Sequence, residues 1–311
     1  MIDAAAAFPQ DLLRAIRDPS AILPPPDAGA HADALLRARV LERLSQAFTA
    51  ARLQALLVKG AALALTVYPS PAHRPMSDID LLVAPAAERP VLAALERAGG
   101  EIRRPPDRPL SAPFFAETAV ILRCGAMPFL VEVHTSLDKI VARPIDTLDL
   151  LDRAAEAPNL PGLFLPSIED HALLVALHAA GSELRLPTGL LDLELLLRAG
   201  ARLPVLVDRA SKQKLTTVMF IAMATLRTLG AASVTAAHVD AFDPGPIRRA
   251  VLARFYNLGS FPIASTPFSL GLPWILRQTP LRDDLLPWAR GLARYAAVRA
   301  AERLASPFRV A

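Results

Sequence analysis

The hydrophobic pattern of this chain settles into one period from about residue 146, and that limits the folds open to it. Over residues 55–134 the apolar residues fall in short runs and alternations of the strand kind, separated by glycine and proline. From about residue 146 they recur every 3.6 residues and continue so. Strands that come first and helices that follow call for an α+β chain, with a small mixed sheet and then an all-helical part.

Local signals give the elements. An N-terminal helix over 9–17 leads to the proline run Pro24-Pro25-Pro26. Leu35, Leu36, Val40, Leu41, Leu44, Phe48 and Leu53 are spaced as one face of an amphipathic helix over 30–53. A strand over 55–58, a helix opened by Gly60 over 60–68 and a strand over 79–83 follow. The next helix starts near Pro85 and Pro90 and is ended by Gly99-Gly100. Strands over 118–123 and 129–134 are joined by a turn at Gly125-Ala126-Met127-Pro128. Helices are expected over 167–182, 187–199, 202–213, 215–230, 245–257 and 283–305. The Pro- and Phe-rich stretch 258–282 follows neither period. The division read from this pattern is an N-terminal segment (1–29), a sheet-bearing domain (30–145) and a helical domain (146–311).

The 311 residues suffice for two cores of ordinary size, and 53% of them are hydrophobic. No run of about 18 uncharged apolar residues occurs, so no membrane partner is expected. The most apolar stretch, 215–226, is closed by Lys214 and Arg227 and reads as a buried helix. The N-terminus lacks a basic stretch followed by an apolar one, and the one cysteine, Cys124, rules out an internal disulfide. The cytoplasm is the expected compartment. The net charge of +4 is too dispersed to indicate nucleic acid. Only four of the 34 basic residues are lysines (Lys59, Lys139, Lys212 and Lys214), so Lys59 is more informative than a generic cation.

The chemistry gathers in Ser77-Asp78-Ile79-Asp80-Leu81-Leu82-Val83. Asp78 and Asp80 are two apart on a strand and share a face. Two adjacent carboxylates repel unless a cation lies between them, which points to a Mg²⁺ site. Glu132, in Val131-Glu132-Val133-His134, faces away from its valines and is the third expected ligand. His134 shares its face. Lys59-Gly60 marks a strand-to-helix turn, where glycine lets backbone N–H groups approach a phosphate and the lysine supplies a charge. Arg74 lies on the loop before the D-x-D strand, placed for a pyrophosphate leaving group. Ser77 is expected to bind phosphate or Mg²⁺, or to cap its turn.

This order of residues (Lys59-Gly60, Tyr68, Arg74, Ser77-Asp78-Ile79-Asp80, Glu132-Val133-His134) resembles a bacterial family of uncharacterised nucleotidyltransferases in the polymerase β-like superfamily. The likeness runs over roughly residues 30–200. It implies a polymerase β-like nucleotidyltransferase domain followed by helices. It also implies Mg²⁺ as cofactor, an NTP as donor and Glu132 as the residue that helps deprotonate the attacking hydroxyl. Many superfamily members carry Gly-Ser where this chain has Lys59-Gly60. The resembled family also has a histidine-bearing helix and then a helix with an acid after a leucine pair. His178 and Asp192 match these, as lining of a nucleotide or acceptor pocket. Members often accompany genes for ribosomally made, modified peptides, so a small-molecule or peptide acceptor is expected.

Three other readings compete. An RNA acceptor, as in toxin-like transferases that modify tRNA, needs an extended basic surface that this charge does not supply. A nucleotide-sugar donor would use the same phosphate contacts. A non-catalytic nucleotide-binding module would keep the pocket without turnover, against which the three intact carboxylates argue.

Overall fold

The structure is a computed structural model and describes residues 9–21, 23–103, 110–184, 187–256 and 272–305. In chain order its elements begin α1 (Gln10–Arg17), α2 (Ala28–Ala51), β1 (Ala55–Val58), α3 (Lys59–Thr66), β2 (Asp78–Leu82), α4 (Glu88–Arg97), β3 (Glu101–Arg103), β4 (Glu117–Cys124) and β5 (Met127–His134). They continue with α5 (Thr147–Asp152), β6 (Ala155–Glu156), β7 (Leu163–Leu165), α6 (Ile168–Gly181), α7 (Pro187–Arg198), α8 (Leu203–Lys212) and α9 (Thr216–Leu229). The last are α10 (Ala236–Asp240), α11 (Pro246–Tyr256), α12 (Leu272–Gln278) and α13 (Leu285–Ala305). Much of the stretch 258–282 lies outside the described residues; its end forms α12 and the 3-10 turn Thr279–Leu281. Among the described residues no helix is long and apolar enough to cross a membrane.

The chain forms two compact units, each assembled from two stretches. One holds residues 26–167 and 286–311, and the other holds 1–25 and 168–285. The first is built on a mixed seven-stranded sheet of order β3-β4-β5-β2-β1-β7-β6. Two of its strands, β6 and β7, fall where the sequence reads as helical. They are only two and three residues long, too short to show an alternation. Strand β7 runs parallel to β1, with Ala55 against Leu163, and so extends the sheet beyond its centre.

Strand alternation divides the side chains of this sheet between two faces. Leu57, Ile79, Leu81, Val120, Val131 and Val133 point to one side and join a single apolar core with Val40, Leu44 and Phe48 of α2 and Val91 and Leu95 of α4. The other side carries Asp78, Asp80, Glu132, His134 and Glu117. Helix α2 is started by Asp27, whose side chain accepts a hydrogen bond from the Ala30 N–H at 2.7 Å. Helix α13 returns to this unit. The buried Glu302 carboxylate accepts from the backbone N–H groups of Leu110 and Ser111 (2.9 and 2.7 Å) and from Ser111 Oγ (2.9 Å). Tyr295 meets Phe114 edge to face, with ring centroids 5.2 Å apart.

In the helical unit α6 is apolar nearly all round and buried on almost every residue, as a central helix must be. Helices α7, α8 and α9 pack on it. Helix α1 joins this group rather than the sheet that follows it in the chain. Arg198 Nη2 caps its end at Ala15 O and Ile16 O (2.8 and 2.7 Å), and Arg17 Nε reaches Leu229 O at 2.7 Å. Arg209 pairs with the fully buried Asp170 at 2.9 Å, and Lys212 with Asp208 at 2.8 Å.

Candidate active site

The register of two parallel strands builds the site. Strand β2 pairs with β5 so that Asp80 lies directly beside Glu132, and Ile79 and Leu81 lie beside Val131 and Val133. In-register neighbours point the same way, so the two carboxylates share the face opposite the apolar core. On the far side of β5 the neighbour of Glu132 is Ala119, which adds no bulk.

Asp80 is the hub. Its Oδ1 accepts from Lys59 Nζ at 2.5 Å and from His134 Nε2 at 2.8 Å. Both Asp80 and His134 are almost wholly buried. The same His134 nitrogen lies 3.4 Å from Glu132 Oε2, and Nδ1 is 3.9 Å from Glu117 Oε2. Glu117 in turn faces Lys139 Nζ at 3.4 Å. The ligating atoms of Asp80, Glu132 and His134 all lie within 4.8 Å of one another.

The charges are unevenly satisfied. Burial would push the Asp80 carboxyl up, but the His134 hydrogen bond and the Lys59 charge overcome it and hold it down at about 2. The hydrogen bond from His134 keeps Glu132 low against its burial and the Asp80 charge. Burial favours a neutral His134, yet the hydrogen bonds to Asp80 and Glu132 win and raise it above its ordinary 6.5. Asp78 goes the other way. Burial, then the charges of Asp80 and Glu132, push it up. Three carboxylates are thus crowded on one face and one of them is poorly compensated, which is the condition a divalent cation relieves. Asp78, Asp80 and Glu132 offer the hard oxygen donors that Mg²⁺ prefers, while His134 offers a nitrogen better suited to Mn²⁺ or Zn²⁺. The donor set therefore fits a divalent metal.

Lys59 sits at the junction of β1 and α3 with φ +51°, a left-handed conformation that favours glycine. That turn carries the ammonium onto Asp80. Gly60, next along, is a point of close approach: a Cβ there would meet Met76 Cβ at 3.2 Å and Met76 Sδ at 3.3 Å. The loop that delivers β2 thus rests on the start of α3. Arg74 closes the 3-10 turn Pro71–His73 on that loop and donates from Nη1 to Pro75 O at 2.6 Å. Ser77 is exposed at the entry to β2.

The structure brings Lys59, Asp80, Glu132 and His134 into direct contact, with Asp78 on the same strand face. His178, half-buried in the last turn of α6, and Asp192, buried on α7, belong to the helical unit. Two participants escaped the sequence reading, Glu117 and Lys139. The rarity of lysine, which singled out Lys59, applies equally to Lys139, so two of the four lysines border this site.

Residues 28–230 match the model of a protein family described as "Uncharacterised nucleotidyltransferase". No curated protein and no solved structure gave a match to the chain.

Proposed function

The chain belongs to the uncharacterised nucleotidyltransferase family, and we propose from its site that it moves a nucleoside monophosphate from an NTP to a hydroxyl or phosphate of a small-molecule or peptide acceptor, releasing pyrophosphate. The observation that carries this reading is the Asp80–Glu132 pair, in register on parallel strands with Asp78 crowded beside it. Mg²⁺ would be held by Asp78, Asp80 and Glu132, where it would neutralise phosphate charge and orient the phosphate for in-line attack.

The protein's own groups supply the rest. Lys59 stands at the mouth of a helix and needs only to leave Asp80 to meet a phosphate as a point charge. In the form described here its ammonium occupies the oxygen that a cation would use. Phosphate and metal therefore compete for, and relieve, the same ion pair, which favours their arrival together. Arg74 stands on the entry loop and stabilises the charge of the departing pyrophosphate. Glu132 stays ionised and is the group placed to take the acceptor's proton. His134 holds the Asp80 and Glu132 carboxylates in place through one nitrogen.

The test is titration calorimetry of the full chain with ATP, GTP, CTP and UTP, with and without Mg²⁺. The Asp78→Asn/Asp80→Asn double variant is run beside it. Binding that needs Mg²⁺ and disappears in the variant supports the reading and names the donor. Equal binding by both proteins, or none by either, would remove it.

A further inference from the structure

We propose that Arg37 and Arg74 together form the receiving site for the distal phosphates of the donor, so that the pyrophosphate end of the nucleotide is gripped from α2 as well as from the entry loop. This deepens the nucleotidyl-transfer reading above and rests on it.

Arg37 lies on α2 and is only 7% exposed. Its Nη2 is buried with no hydrogen-bond partner. A guanidinium in that condition forgoes charged hydrogen bonds that it would make in water, and an apolar side chain would fill the same space at less cost. Asp33, one helical turn earlier, acts on it only from a distance and is itself exposed.

A second guanidinium acts on the same position. Helix α2 packs against the 3-10 turn Pro71–His73, and Arg74 ends that turn. Burial lowers the proton affinity of Arg37, Asp33 raises it, and the charge of Arg74 lowers it again, leaving it below the ordinary guanidinium range. Two guanidinia that repel each other, one of them with an unmatched buried N–H, suit an anion that accepts from both. The phosphate oxygens of a polyphosphate match the planar fork of arginine better than any single carboxylate in reach. Four residues beyond Arg74 the chain enters β2 at Asp78, and Met76 between them is seated on Gly60 at the start of α3.

The probe is inorganic pyrophosphate, titrated calorimetrically into the full chain and into its Arg37→Met, Arg37→Lys and Arg74→Gln variants, with an NMP as control and circular dichroism to verify folding. The wild type should bind pyrophosphate. Arg37→Met should weaken that binding by about tenfold or more, the loss expected for a charged hydrogen-bonding group, and leave the NMP unchanged. Arg37→Lys should recover part of it. Pyrophosphate affinity unchanged in a folded Arg37→Met protein would overturn the proposal. If Arg37→Met does not fold, unchanged affinity in both Arg37→Lys and Arg74→Gln would do the same. Turnover assays separate this proposal from the reading beneath it. An NTP turned over with an unaltered KM by Arg37→Met removes the phosphate site alone. Pyrophosphate binding that depends on Arg37, in a wild type that turns over no NTP, keeps the site and removes nucleotidyl transfer.

Discussion

Lys59 Nζ and Asp80 Oδ1 are 2.5 Å apart, in a pair that is almost entirely shielded from solvent. The pair holds the central carboxylate of the site against the one lysine at its edge that sits on a helix opening. On the proposed reading, removing the lysine frees the carboxylate for a metal but deprives a phosphate of its partner. Lys59→Met should therefore bind Mn²⁺ more tightly than the wild type without nucleotide, and bind NTP less tightly. A change of about tenfold in each direction is expected for losing one charged hydrogen bond. Calorimetric titrations of metal alone and of NTP with metal give the two numbers. Parallel changes of the same sign would show that Lys59 does not mediate between the two ligands.

The backbone at Lys59 gives a second prediction, independent of ligands. With φ +51° the position tolerates glycine more readily than any residue with a Cβ. Lys59→Gly and Lys59→Ala both lose the ammonium, so the difference between them isolates the backbone. Lys59→Gly should be the more stable of the two by about 1 kcal/mol, measured by urea unfolding. The result matters for function, because it would show that the chain accepts a strained turn in order to keep a cation over Asp80. If the alanine variant is equally stable, the turn carries no strain.

The D-x-D strand and its partner were legible in the sequence because strand alternation needs only local information. Asp78 and Asp80 share a face by spacing, and the valines around Glu132 fix which way it points. What the spacing could not supply is register. Nothing local says that Asp80 lies beside Glu132 rather than Leu130, or that Glu117 at the start of β4 comes opposite His134. For the same reason Lys59 reads from sequence as a phosphate ligand, while in the structure it neutralises Asp80. Strands β6 and β7 are too short to have a period. The docking of α1 into the helical unit and of α13 onto the sheet-bearing unit depends on arginine and glutamate contacts made across some 180 residues of chain.

His134 links the site to pH. Its proton affinity is higher in the folded chain than its ordinary value near 6.5, because Asp80 and Glu132 accept from it despite burial. A raised group stabilises the fold fully below its unfolded pKa, and that contribution disappears as pH climbs through the folded pKa. Asp80 runs the opposite way. Held at about 2, it stabilises the fold above its ordinary value and loses that effect as pH falls towards 2. The metal-free protein should thus lose thermal stability as pH rises above the ordinary histidine value of 6.5 and through the raised His134 transition. His134→Asn should flatten that slope and also weaken the acid limb, because the His134 hydrogen bond is the chief cause that holds Asp80 low. A slope that persists in His134→Asn would assign the effect to another group.

The return of α13 to the sheet-bearing unit rests on Glu302, whose carboxylate receives three hydrogen bonds from Leu110 and Ser111 as well as Arg299 Nη1 at 2.6 Å. The two backbone N–H groups are the costly part, since alanine at 302 would leave the buried Ser111 N–H with no acceptor. Glu302→Ala should lose about 2–4 kcal/mol, whereas Leu304→Ala, at a position 77% exposed and two residues on, should stay within about 0.5 kcal/mol of the wild type. Glu302→Gln should fall between them, because an amide keeps one acceptor oxygen but not the charge. The turn anchored by Glu302 leads through Phe114 and Phe115 to Glu117, which faces His134 and Lys139. If the anchor positions that edge of the site, Glu302→Gln should also weaken Mg²⁺-dependent NTP binding under conditions where it is fully folded. Unchanged nucleotide affinity in a folded Glu302→Gln protein would confine the role of α13 to stability.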